Sequence, residues 1–210
     1  MEYIMRQIDD FQTKYPELMQ SALEEFSIKS YKLASLNNIL TKINMSKGSF
    51  YHHIGDKMSL YLNILNYLAQ LKFNTFRSMD AAYLEQGEDE RTLKQKMKTN
   101  SEKAYQLFKV NPLFYDFYKK LSNEPKEFIS KIIAYIPIDQ DYDIVKWIKQ
   151  AVIKGELRDD IDFEILLMFI NNGLLGIQPI IVESCGNKDY SIIKDKIEKY
   201  IDLIFRAVEK

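Results

Sequence analysis

A single cysteine, Cys185, in 210 residues rules out an intramolecular disulfide and leaves a thiol whose plainest reading is packing. Histidine is almost as scarce. The only two are the adjacent His52 and His53, so no Cys/His cluster has the spacing of a zinc site. Seven glycines, five prolines and no sustained period-two alternation leave little room for strands. No Gly-rich phosphate loop and no nucleophile–base–acid constellation is present, so no catalytic residue, cofactor or metal is expected. The N-terminus, MEYIMRQIDDF, lacks a charged-then-apolar leader pattern. The longest uncharged run, Ile165 to Val182, carries Asn171, Asn172, Gln178 and Pro179 and follows Asp159, Asp160, Asp162 and Glu164. That suits a buried protein helix better than a lipid-facing one. A soluble, cytoplasmic protein without membrane contact is expected.

What the chain does have is apolar residues at helical spacing, with 46% apolar content supplying ample core. Residues 3–12 carry Tyr3, Ile4, Ile8 and Phe11 and read as a short extra helix or arm. A helix opening near Pro16 buries Leu18, Met19, Ala22, Leu23 and Phe26. A long helix follows Asp56, a plausible N-cap, and runs to about Leu84, with a loop over 85–90. Further helices are expected near 91–109, 112–122, 125–136, 142–154 (ended by Gly155), 162–184 and 189–208. The fold class is all-α: an N-terminal domain over residues 1–60 and a helical domain over 61–210, joined inside the long helix.

The net charge of −1 conceals a local excess: Lys29, Lys32, Lys42, Lys47 and Lys57 face one acid, Asp56, between positions 29 and 57. The patch is either a solvated lysine-rich face or an electrostatic footprint for nucleic acid. Ser35 is placed to cap a short helix with Leu36, Ile39, Leu40 and Ile43 on one face. Asn44 then takes a turn that requires positive φ, where Asn is the next most tolerant residue after Gly. Met45 points back to the core, Ser46 caps a second short helix, and Phe50 and Ile54 anchor it. Lys47, Gly48, Ser49, Tyr51, His52 and His53 remain on or near the outward face. This is a helix-turn-helix, whose use is to present a few side chains to the DNA major groove. Taken alone, a Tyr-His-His run is also compatible with ordinary surface.

These residues resemble the N-terminal domain of TetR-like transcriptional regulators. The family pattern has a Phe near the end of the first helix, a small hydroxyl residue opening the second, a turn resembling Gly-Val-Ser, then Gly-x-Leu/Phe-Tyr-x-His-Phe and a Lys about four residues on. Phe26, Ser35, Asn44-Met45-Ser46, Gly48-Ser49-Phe50-Tyr51-His52-His53-Ile54 and Lys57 stand in that register. Asn44 for Gly, Leu40 for Ala and Ala34 for Thr depart from it. The resemblance implies Lys47 and Ser49 at base edges, Tyr51 at base methyls or phosphate, and His52, His53 and Lys57 at phosphates. Ser35 and Asn37 would make flanking contacts, and Ser46 and Gly48 would lie in the same interface.

The resemblance further implies a homodimer through residues 162–208, a double-stranded palindromic DNA operator as partner, and release by a small-molecule effector, which the aromatic residues below lead us to expect to be apolar. The last helix carries the stripe Ile193, Ile197, Tyr200, Ile201, Ile204 and Val208, expected to supply the dimer seam with help from Gly173 and Gly176. Phe108, Phe114, Phe117, Tyr118 and Trp147 line either an effector cavity, between the long helix and the helices at 91–154, or a packed core. The alternative function is an all-helical small-molecule or lipid-binding protein, or an enzyme, without DNA binding.

Overall fold

The structure, a computed structural model, describes residues 11, 13–84, 90–136, 143–175 and 190–210. The expected N-terminal arm (apart from Phe11), Gly176, Pro179, Cys185 and the second part of the expected 162–184 helix lie outside them. Ten helices are formed by the described residues: α1 (Pro16–Ile28), α2 (Leu36–Lys42), α3 (Lys47–His53), α4 (Lys57–Leu84), α5 (Leu93–Val110), α6 (Pro112–Ser122), α7 (Lys126–Ile133), α8 (Ile144–Ile153), α9 (Phe163–Leu175) and α10 (Tyr190–Arg206). No named strand occurs among them; one isolated antiparallel bridge joins Leu157 and Glu209. None of these helices is long and apolar enough to cross a membrane.

The boundaries follow local chemistry. Pro16 and Pro112 open α1 and α6, where a missing N–H costs nothing. The Asp56 carboxylate accepts from Ser59 N–H at 2.7 Å and Ser59 Oγ at 2.9 Å, capping α4, and these bonds hold its carboxyl below the usual carboxylate range. Gly155, at φ 75°, closes α8, with Glu156 N–H donating to the Ala151 carbonyl at 2.9 Å.

Met1–Asn74 and Val110–Pro137 make one compact unit, and Thr75–Lys109 with Ile138–Lys210 the other. In the first, α1 packs on α2 and α6. Its centre is a set of rings: Tyr61 lies 4.9 Å from Phe26, 5.2 Å from Tyr31 and 5.4 Å from Phe117, while Phe128 stacks on Tyr31 at 4.7 Å. Burial holds the Tyr61 hydroxyl well above its ordinary pKa, with the Glu124 charge adding to the effect.

In the second unit, α5 is tied to α10 by Lys94 and Lys98, which reach Asp202 at 3.3 and 2.7 Å, and to the chain just beyond α10 by Lys94, which reaches Glu209 at 3.0 Å. Asp80, buried near the end of α4, pairs with buried Lys103 and with Arg91. α9 packs on α10, and a Cβ on Gly173 would meet Ile204 Cδ1 at 2.9 Å, so glycine there sets their close approach.

One expectation is corrected. Ile197, Ile201, Ile204 and Val208 are buried in the chain's own core, so these four residues are used within the protomer and are not free to form a seam; Tyr200 is half-buried, and the Ile193 side chain lies outside those described. Among the described side chains of α9 and α10, the exposed large apolar ones are Ile165 (56%), Met168 (59%), Phe169 (42%) and Leu203 (63%). The stripe marks a buried face, but period alone does not say which partner covers it.

Candidate nucleic-acid interface

Two capped seven-residue helices and one strained turn build the site. Asn38 N–H donates to Ser35 Oγ at 3.3 Å, and Ser49 N–H donates to Ser46 Oγ at 3.1 Å, so both serines act as N-caps. Asn44 has φ 53°, alone among the described non-glycine residues in the left-handed region. Met45 N–H closes the turn by donating to the Leu40 carbonyl at 3.0 Å. Phe50, fully buried, seats α3 on the core; burying a phenyl ring contributes about 1.5–3 kcal/mol.

With Phe50 inward, the hundred-degree step of a helix distributes the rest. Lys47, Gly48, Tyr51 and His52 occupy one continuous outward arc, all exposed, Tyr51 at 55%. Ser49 is half-buried at the edge of that arc. His53 lies past Ser49 on that same side, exposed, its ring 6.0 Å from Tyr15 and 4.7 Å from His52. Asn37 is exposed on α2, while Ser35 is half-buried. No Cβ is present on Gly48, and the space above it is open, with Ser46 Oγ nearest at 4.0 Å.

Lys57 does not extend from this arc. Its ammonium donates to the Tyr31 carbonyl at 2.8 Å and the Ala34 carbonyl at 3.0 Å, and lies 4.6 Å from the centre of the Tyr31 ring. The same loop is gripped twice more. Ser35 N–H donates to Glu25 Oε1 at 2.8 Å, and Tyr31 N–H donates to Glu124 Oε1 at 2.5 Å. Burial raises the Glu25 carboxyl, but Lys29, 2.7 Å away, and the Ser35 N–H outweigh it and hold the group below its ordinary value. Finally, buried Ser21 Oγ donates to the Ile39 carbonyl at 3.0 Å, fastening α1 to α2.

These supports are the residues that sequence reasoning missed. Glu25 and Lys29 stand four apart, a legible helical ion pair, but nothing local announces that Glu25 also caps α2. The basic patch is smaller than its five lysines suggest. Lys29 pairs with Glu25, Lys42 with Glu24, and Lys57 binds carbonyls. Lys32 and Lys47 are both exposed.

Of the proposed effector residues, Phe108, Phe114 and Phe117 are buried, and Tyr118 and Trp147 half-buried. Phe114, Phe117 and Tyr118 belong to the first unit; Phe108 and Trp147 belong to the second. Phe117 packs against Tyr61, and Lys96 lies 5.7 Å from the centre of the Trp147 ring.

No protein-family model matches the chain, and no curated protein matches it. Solved structures do. A putative TetR-family transcription regulator from Shewanella sp. PV-4 aligns at TM-score 0.65 and 17% identity, covering 94% of this chain and 98% of that one. A putative TetR-family regulator from Rhodococcus sp. aligns at 0.65 and 14%, covering 92% and 99%. A TetR-family regulator from Chloroflexus aurantiacus J-10-FL aligns at 0.60 and 21%, covering 95% and 94%. At these identities the likeness is one of fold: over nearly its whole length, this chain is folded as TetR-family transcriptional regulators are.

Proposed function

We propose that the chain is a DNA-binding transcriptional regulator, acting as a homodimer on a palindromic operator. The observation that carries this reading is the outward arc of Lys47, Gly48, Tyr51 and His52, held on a doubly capped helix-turn-helix by the Asn44 turn. A protein surface that only needs solubility has no use for a left-handed Asn and a loop locked by Lys57 and Glu25. In this reading Lys47 and Ser49 reach base edges, and Tyr51 lies against thymine methyls or phosphate. His52, His53 and Asn37 contact the flanking backbone, with Ser35 and Ser46 setting the helix starts. Lys57 positions the loop between α1 and α2.

Ile165, Met168, Phe169 and Leu203 form the seam with a second copy, which places two α3 helices in major grooves about one turn apart. Repression relieved by a small, largely apolar effector completes the proposal.

The test is selection from a random pool of duplexes with the full chain. Enrichment of an inverted repeat, bound with a steep negative salt dependence, supports the reading. Recovery of no sequence above the starting pool contradicts it.

A further inference from the structure

A cleft of about 410 Å³ opens in the first unit between α1, α4 and the start of α6. Met19 and Leu23 form one wall, Leu68 and Leu71 the second, and Leu113 and Phe114 the third. Gln20, Tyr67 and Asn111 bring polar groups to it, and none of its twelve lining residues is charged. Small-molecule sites are commonly about 300–1,000 Å³, mostly apolar with a few polar groups. We propose that this cleft is a ligand site for a neutral, largely apolar molecule carrying one or two hydrogen-bonding groups, and that it is where the effector acts. The effector role rests on the regulator reading; the binding itself does not.

The charge of the ligand follows from the lining. An ionised group entering here gives up part of its hydration and meets no charged lining residue, a cost that a neutral molecule does not carry. A carbonyl or hydroxyl can be met by Tyr67, or by Gln20, whose Nε2 also donates to Glu24 Oε1 at 2.8 Å.

The place of the cleft explains how binding would reach DNA. Its first wall belongs to α1, which Ser21 and Glu25 fasten to α2. Its third belongs to α6, joined to α1 where Ser27 Oγ lies 3.1 Å from the Leu113 carbonyl, sharing its proton with the Leu23 carbonyl at 2.6 Å. A molecule between these walls sets the spacing of α1 from α6, and the helix-turn-helix moves with α1. Differential affinity for two spacings is what an effector requires. Only Phe114 is shared with the cavity expected from sequence.

The probe is 6-propionyl-2-dimethylaminonaphthalene, a neutral ketone whose emission moves to the blue in apolar sites, used with the full chain. Wild type should bind it saturably, one per protomer, and bind the anionic 8-anilinonaphthalene-1-sulfonate at least tenfold more weakly. Leu71→Trp, which fills the cleft from α4, and Leu23→Phe, which fills it from α1, should each weaken the ketone at least tenfold with the melting temperature maintained. Unsaturable binding to wild type, or wild-type affinity in both variants when at least one is folded, overturns the site. Equal affinity for the anion overturns the ligand class. On a duplex selected by wild type, the ketone should lower DNA affinity for wild type and not for Leu71→Trp. Cleft-dependent ketone binding with unchanged DNA affinity overturns the effector role. Absence of any DNA binding with ketone binding intact overturns the regulator reading instead.

Discussion

The ammonium of Lys57, the first residue of α4, lies 2.8 Å from the carbonyl oxygen of Tyr31, in the loop that delivers the chain to the helix-turn-helix. With the Ala34 carbonyl as second acceptor, this lysine holds the loop from below. Lys57→Met keeps the stem and removes three donors. It should destabilise the protein by about 1–3 kcal/mol, the usual cost of orphaning buried hydrogen-bond partners. Amide exchange at Tyr31–Ser35 should accelerate and DNA affinity should fall, with little change in salt slope. A flattened slope at unchanged stability would return Lys57 to a purely phosphate-binding role.

Gly48 offers a test with opposite signs. It is the second residue of α3, under open space, so Gly48→Ala should stabilise the free protein by up to about 1 kcal/mol through helix propensity. If α3 lies against the groove at that point, the added methyl should weaken DNA binding several-fold. Higher stability with unchanged affinity would place Gly48 outside the interface.

The caps and the turn were legible in the sequence because each depends on residues within three or four positions. Ser35, Asn44, Ser46 and the Asp56 cap are of this kind. Glu25 capping α2 and Lys57 reaching Tyr31 were not, since both bonds span ten or more residues and exist only once α1, α2 and α4 have packed. The same distinction separates the last helix into parts. Its apolar stripe was visible as a period, but Ile197, Ile201 and Ile204 are covered by their own chain while Leu203 is outside. The cleft was invisible because three distant segments create it.

The seam is therefore tested on the outer residues. Met168→Asp with Phe169→Asp should give a monomer by light scattering while far-ultraviolet circular dichroism stays that of wild type. Ile201→Asp, placing an uncompensated charge in the protomer core, should instead unfold the chain. A double variant that remains dimeric would move the interface elsewhere.

Acid should weaken the fold through groups whose carboxyls are depressed. The Lys98 bond, together with Lys94, outweighs burial and holds Asp202 below its ordinary value, and Glu25 is lowered despite burial. For such groups the stabilisation is present above the unfolded value and is lost as pH falls through the folded one. With unfolded values near about 4, stability should be level from neutral pH to about 5 and decline below about 4. Asp202→Asn and Glu25→Gln should each be less stable at neutral pH and show a shallower acid decline. A decline that begins near pH 6 would contradict these assignments.

The central claim is that the outer arc of α3 contacts DNA. It is measured most directly by fluorescence anisotropy of the wild-type chain and of Lys47→Ala and Tyr51→Ala on the selected duplex across a range of salt concentrations. Both side chains are exposed, so the variants should melt as wild type does. Each should bind at least tenfold more weakly, a loss of about 1.4 kcal/mol or more. Wild-type affinity and salt dependence in both variants would contradict the account.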